Sequence, residues 1–227
     1  HELNQPLLGV RGMAQHLLIA MDRQWNLPEE KIRDRLQKII EQTDRMSHII
    51  QHVRTFAKEA GSPERLRVDV NEVIKSAIGM VQTQFRSRGI ELVTELEESL
   101  PPVLANPFSL EEVIINLLLN ARDAVDETHS ARPMDQGPRV VARTEVQTSN
   151  STPCVQIEVT DNGLGIPEDI LPQVFDPFFT TKGPNKGTGL GLSVARALVE
   201  QFGGTIEIEC EPGRWTTVRA SFPAVAD

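Results

Sequence analysis

Apolar residues in the first 60 positions recur at Leu3, Leu7, Val10, Ala14, Leu17 and Met21, in steps of 4-3-4-3-4. This is the period of helices that pair along a narrow seam. The pattern breaks at Asn26-Leu27-Pro28, and Glu29-Glu30 supply the acidic first turn of a second helix. It resumes through Ile32, Leu36, Ile39, Thr43, Met46, Ile50, Val53 and Ala57, then stops at Gly61-Ser62-Pro63. The pattern predicts an antiparallel helical hairpin. One hairpin cannot fully bury two such seams, so a second copy is expected to complete a dimeric four-helix bundle.

Beyond residue 65 the pattern changes. Strands are predicted at Leu66–Val70, Ile90–Leu96, Arg139–Thr148, Val155–Asp161, Thr205–Glu211 and Thr216–Phe222. Helices are predicted at Asn71–Arg88, Ser109–Glu127 and Thr188–Phe202, with Asn71 and Ser109 as N-caps. The fold class is α+β: the hairpin (1–60), a linker (61–65), and an α/β sandwich with one mixed sheet (66–227).

Charge narrows the function. The chain has 227 residues and a net charge of −9. Residues 1–60 carry 9 basic and 8 acidic side chains, and the remainder carries 14 and 24. Nonspecific nucleic-acid binding is therefore excluded, and a polyphosphate would need a metal and backbone donors. The two cysteines, Cys154 and Cys210, form no metal-binding or disulfide pattern, which suits a reducing cytoplasm. No apolar run approaches the roughly 20 residues of a membrane span. The chain begins with His rather than Met, so it reads as a fragment, one expected in the cytoplasm and without membrane contact of its own. A longer protein could carry a membrane anchor upstream.

Candidate chemistry lies at both ends. His1 flanks the first seam, outside its core positions, and Glu2 beside it could orient the imidazole and accept its proton. On the predicted Ser109–Glu127 helix, Glu112, Asn116, Asn120 and Asp123 form a polar stripe beside the apolar one. Amide oxygens at this spacing suit Mg²⁺, which completes its shell with phosphate oxygens and water. Taken alone, the stripe reads better as an ordinary solvated face. Asp161 continues the buried parity of its strand, and Asn162-Gly163-Leu164-Gly165-Ile166-Pro167 follows as a sharp turn. A carboxylate at a pocket floor, with glycines that admit a flat ring, suits the adenine amine. Gly187-Thr188-Gly189-Leu190-Gly191-Leu192-Ser193 opens a helix whose N-terminus favours phosphate. Its spacing matches neither the dinucleotide fingerprint nor the P-loop. Thr216 shares the inward parity of the last strand and could hydrogen-bond near Asp161.

Together these segments resemble the catalytic core of a bacterial two-component sensor histidine kinase, with a GHKL-type ATP-binding domain. His1-Glu2-Leu3-Asn4-Gln5-Pro6-Leu7 resembles the phosphoacceptor box, and Asn116 to Ala124 the N box. Asp161 to Pro167 resembles the first glycine box, Phe175 to Lys182 the phenylalanine box, and Gly187 to Ser193 the second glycine box. Their order and spacing match over nearly the whole chain. The resemblance implies His1 as phosphoacceptor, Glu2 as its acidic helper and Asn120 as the Mg²⁺ ligand. It further implies ATP contacts from Asn116, Asn120, Asp123, Asp161, Gly163, Gly165 and Ile166. From the later boxes come Phe178, Thr181, Lys182, Gly187, Thr188, Gly189, Leu190, Gly191 and Leu192, followed by Thr216. Two departures stand out. Gln5 occupies the position where many relatives carry the Thr or Asn that assists dephosphorylation. Trp215-Thr216 replaces a common Gly-Thr, with the bulky ring expected at one edge of the adenine pocket.

The implied function is ATP-dependent phosphorylation of His1, then transfer to an aspartate on a response-regulator receiver domain. The implied partners are a second copy of the chain, through the hairpin, and that receiver. One rival is a GHKL-type ATPase acting as a conformational machine without phosphohistidine. Asn116, where such enzymes would need a glutamate, disfavours it. Another is a noncatalytic dimerisation scaffold, which the intact His1, Asn120, Asp161 and glycines disfavour.

Overall fold

The computed structural model describes residues 4–23, 25, 27–58, 64–131, 137–149, 152–182 and 187–225. His1 and Glu2 lie outside the described residues. The chain divides into two compact units, His1–Pro63 and Glu64–Asp227.

In the first unit, α1 (Asn4–Asp22) packs along α2 (Glu29–Lys58), with Gly9 beside Gln42. The turn between them is closed by Trp25, whose amide donates to Ala20 O at 2.8 Å. The His16 ring stands edge-on to Trp25 at 6.0 Å, and the Arg23 guanidinium lies 5.8 Å from the indole. Ala20 is buried, whereas Leu7, Met21, Ile32 and Leu36 of the heptad seams remain exposed. Leu8, Leu18, Ile19 and Ile40 are exposed as well, although they fall outside the seams. The uncovered apolar face is thus broader than the heptads predict.

The second unit is a sandwich. Its sheet contains β2 (Glu91–Leu96), β4 (Arg139–Ser149), β5 (Thr152–Asp161), β6 (Thr205–Glu211) and β7 (Trp215–Pro223), in the order β2-β4-β5-β7-β6. Only β2 and β4 pair in parallel, so the sheet is mixed as expected. Against one face pack α3 (Val70–Ser87), α4 (Pro107–Ala131) and α5 (Gly191–Gln201). The core between the layers includes Phe85, Leu110, Ile114, Leu117, Leu118, Ile157 and Phe222. Four of these lie on α4, and each contributes about 1.5–3 kcal/mol by burial, so α4 is firmly seated as a platform for side chains on its other edge.

Several local expectations are corrected. A second, two-stranded sheet joins β1 (Leu66–Val68) to β3 (Val103–Ala105), a strand not anticipated from sequence. The cap of α3 is Asp69, whose carboxylate accepts from Asn71 N at 2.9 Å and Glu72 N at 3.4 Å. Asn71 instead bridges elements: its Nδ2 donates to Glu97 O at 2.8 Å and its Oδ1 accepts from Thr144 Oγ1 at 3.0 Å. Likewise α4 is capped by Asn106 rather than Ser109, with Phe108 N and Ser109 N donating to its Oδ1 at 3.1 and 3.2 Å. Pro107 then fits the first helical position, where no N–H is needed. Finally, α5 begins at Gly191 rather than Thr188, because Gly189 adopts φ +66°, which a right-handed helix excludes.

On the sheet face away from the helices, side chains alternate in sign from strand to strand. Glu95 on β2 pairs with Arg143 on β4, Glu158 on β5 pairs with Arg219 on β7, and Arg219 reaches Glu209 on β6. Arg143 and Glu158 close the row at 4.0 Å.

Candidate nucleotide site

The stripe on α4 is real and half of it is buried. Asn116 is 6% exposed, Glu112 is buried one turn before it, and Asn120 and Asp123 follow at the rim. The start of α5 faces this stripe. A Cβ added to Gly191 would lie 3.4 Å from Asn120 Nδ2 and 3.7 Å from Asn116 Oδ1. No side chain caps α5, and Asn116 Nδ2 is buried without a hydrogen-bond partner among the described residues. Buried polar atoms are ordinarily paired, so these amides point to a polar ligand between α4 and the start of α5.

The second half of the site is the end of β5. Asp161 is 4% exposed, and its Oδ1 accepts from Gly163 N at 2.9 Å. Burial pushes this carboxyl up to about 7, against the opposing effect of that one hydrogen bond. Thr216 on β7 is its register partner, and Cys210 on β6 is the register partner of Thr216. The three form a row along one end of the sheet's helix-facing side. Sequence reading found Asp161 and Thr216 but not Cys210, whose thiol faces Ile166 O at 3.5 Å. Only the strand order joins Cys210 to the other two.

The glycines set the walls. A Cβ on Gly163 would fall 2.8 Å from the carbonyl carbon of Ala124, so the turn after Asp161 lies directly on α4. Gly165 has φ +65° and touches the β6–β7 turn, where a Cβ would come within 2.3 Å of Glu211 O. Trp215 does not border this pocket. Strand alternation puts it opposite Thr216, where its indole N–H donates to Glu211 Oε2 at 3.3 Å.

The described residues around the second glycine box are held by several contacts. Gly189 packs under the backbone of Phe178, which is itself left-handed at φ 67° with its ring 65% exposed. Leu190 is buried in the core, its amide donating to Thr188 Oγ1 at 3.4 Å, and Leu192 packs against that core. Lys182 Nζ donates to Asp123 Oδ2 at 2.6 Å. Thr181 is exposed. The hydroxyl that shapes this turn is that of Thr180, which accepts from Lys182 N at 3.2 Å and crowds Gly187.

Fold and site together define an ATP-binding sandwich, with a carboxylate floor at one end and a glycine-opened helix facing two amides at the other. The family described as histidine kinase-, DNA gyrase B- and HSP90-like ATPase matches residues 105–226, and the His Kinase A (phospho-acceptor) domain matches residues 1–61. The sensory histidine kinase/phosphatase NtrB of Rhizobium meliloti is 33% identical over 227 residues, covering 99% of this chain and 56% of that protein. The C4-dicarboxylate transport sensor protein DctB of Pseudomonas aeruginosa is 34% identical over 209 residues, covering 92% of this chain and 32% of that protein. The catalytic domain of histidine kinase ThkA superposes with a TM-score of 0.59 at 26% identity, covering 71% of this chain and 96% of that one. Acinetobacter baumannii AdeS matches in fold, with a TM-score of 0.66 at 20% identity over 100% of this chain and 98% of that one. The chain therefore belongs to the bacterial two-component sensor histidine kinases and carries their catalytic core. It spans about a third to just over half the length of the curated relatives named above. Among the described residues, no helix is long and apolar enough to cross a membrane.

Proposed function

We propose that this chain is a protein histidine kinase core that phosphorylates His1 from ATP and passes the phosphoryl group to an aspartate of a response-regulator receiver domain. We assign 1–60 to dimerisation and phosphotransfer, 61–65 to the linker and 66–227 to ATP binding. The observation that carries the reading is the apposition of Asn116 and Asn120 to the uncapped start of α5, one wall away from the buried Asp161.

The residues fit the nucleotide. Asp161, when ionised, accepts from the adenine amine, and Gly163 and Gly165 leave room for the ring. Amides at Gly191, Leu192 and Ser193 are aimed at phosphate by the helix end. No group of three His, Cys, Asp or Glu side chains that could hold a metal occurs among the described residues. A Mg²⁺ would be held by Asn120, with phosphate and water supplying its remaining ligands. When bound, Mg²⁺ supplies neutralisation of phosphate charge. The protein's part is positioning. His1 attacks the γ-phosphorus, a nitrogen–phosphorus bond forms as the β–γ bridging P–O bond breaks, ADP departs, and Glu2 takes the imidazole proton.

The exposed apolar face of the hairpin, Leu7, Leu18, Met21, Ile32, Leu36 and Ile40, supports a homodimer. We place the reaction in the cytoplasm, where ATP is available. Incubation with γ-labelled ATP tests the assignment: the wild-type chain acquires acid-labile label and His1→Gln acquires none. Equal label on both would overturn it. Sustained ATP hydrolysis without any labelled protein would favour the conformational ATPase instead.

A further inference from the structure

The last rung between β4 and β5 is made by a side chain. In an antiparallel hydrogen-bonded pair, facing residues exchange both backbone N–H···O bonds. Arg139 and Asn162 stand as such a pair, one step past Val140 and Asp161. Asn162 N donates to Arg139 O at 3.3 Å, as the ladder requires. The return bond is different. Arg139 N donates at 2.9 Å to the side-chain Oδ1 of Asn162, in the place its carbonyl would take. Asn162 Nδ2 donates in turn to the carbonyl of Gly137 at 2.7 Å. These partners fix the orientation of the amide, because an N–H must meet Oδ1 and a carbonyl must meet Nδ2. The anchor is firm. On its other side the start of β4 is held by β2, where Glu91 N donates to Pro138 O at 2.9 Å.

The consequence falls on Asp161. A peptide unit is planar and trans, so its C=O and N–H point opposite ways. If the Asn162 carbonyl served Arg139 N, the N–H of Gly163 would point away from β4, toward β7. It bonds Asp161 Oδ1 at 2.9 Å instead.

We propose that Asn162 is a positioning residue for the nucleotide: its amide replaces its own carbonyl at the end of the β4–β5 ladder, which frees the next peptide to turn and present Gly163 N to the Asp161 carboxylate. It acts through Asp161. The proposal rests on the ATP reading above and adds what holds the adenine-binding carboxylate in place.

Around Asp161 stand Val140 of β4, Thr216 of β7 and, beyond Thr216, the Cys210 thiol of β6, while Ala124 of α4 backs the turn. Burial raises the carboxyl, and the bond from Gly163 N opposes the rise. A carboxyl raised in the fold keeps its contribution to stability at acid pH and loses it as pH rises through its folded value. Removing the opposing bond raises it further, so the cost appears on the alkaline side.

Melting of the whole chain without nucleotide tests the route. Asn162→Ala lowers the melting temperature more at pH 8 than at pH 5 when Asp161 is present. In the Asp161→Asn background it lowers both equally, because no carboxylate remains to be served. In calorimetric titrations with ADP at neutral pH, Asn162→Ala weakens binding about tenfold, the loss of one hydrogen bond to a charged group, and moves the rise of ADP affinity to higher pH. Asn162→Ser keeps one polar atom at the strand end and gives the same pattern at smaller size if the alanine variant melts too low to compare. The proposal is overturned if the cost of Asn162→Ala is the same at both pH values with Asp161 present, or if the variant binds ADP as tightly as wild type. Wild-type protein that binds no ADP while the melting pattern holds would instead overturn the nucleotide reading alone.

Discussion

Asp161→Asn is expected to abolish useful nucleotide binding while making the catalytic unit more stable above neutral pH. The affinity loss follows from hydrogen-bond polarity. An asparagine can present its N–H₂ where the adenine amine also donates, leaving a buried clash of donors and a loss of about 100-fold or more. The stability gain follows from linkage. The carboxyl is raised from 3.8 to about 7 in the fold, so the native state holds its proton more tightly than the unfolded chain does. The resulting stability is complete below pH 4 and is lost as pH rises through 7. The gap between 3.8 and about 7, at 1.36 kcal/mol per unit, amounts to about 4 kcal/mol at pH 8. Asparagine keeps the acceptor for Gly163 N without that dependence. Melting curves from pH 4 to 8 should therefore converge at the acid end and separate at the alkaline end, the variant above. Wild-type affinity for ADP should rise between pH 5 and 7 as the carboxylate forms. Parallel melting curves would show that Asp161 ionises without penalty and that its burial has no functional meaning.

Gly189→Ala is expected to lower nucleotide affinity by about 100-fold with little change in melting temperature. A left-handed alanine alone costs only about 1–2 kcal/mol. Here the new Cβ would also lie 2.3, 2.5 and 2.7 Å from the C, O and Cα of Phe178. These are backbone atoms, so no rotamer change relieves the overlap. Phe178 is already left-handed, which leaves the opposing strand of the loop little freedom to yield. The loop must shift, and the amides two residues on, at the start of α5, shift with it. The core packing of α5, through Val194, Ala195, Leu198 and Val199, is untouched, so global stability holds. Gly89→Ala is the matched control: φ is +67° and nothing lies within 4 Å of the new Cβ. If both variants bind nucleotide alike, the contact between Gly189 and Phe178 is unimportant.

Much of this was legible in the residues because the chemistry is local. Asp161 announces itself by breaking an apolar alternation, and the stripe on α4 by helical spacing. What escaped reading depends on partners distant in sequence. Strand β3 has three residues and no measurable period, and exists by pairing with β1. Gln84 supports Arg122 from another helix, 38 residues away. Cys210 joins Asp161 and Thr216 only because the strand order brings β6 beside β7. The caps differ from expectation for another reason. Asp69 and Asn106 sit just before the first apolar position of their helices, and either they or the later Asn71 and Ser109 suit the cap chemically. A Gly-to-Trp change suggests bulk in the pocket, whereas alternation along β7 turns Trp215 to the other face.

The row of alternating charges bears on folding fidelity. Strand β5 delivers Asp161 to the pocket on one face and Glu158, paired with Arg219 at 2.8 Å, to the other. A strand that slips by one residue exchanges its two faces completely. Such a slip would drive Glu158 among the core side chains and turn Asp161 out to solvent, separating Glu158 from its partners in the row. A misregistered chain is therefore both costly to form and unable to floor the pocket. The alternation that builds the site therefore also penalises the misregistered fold.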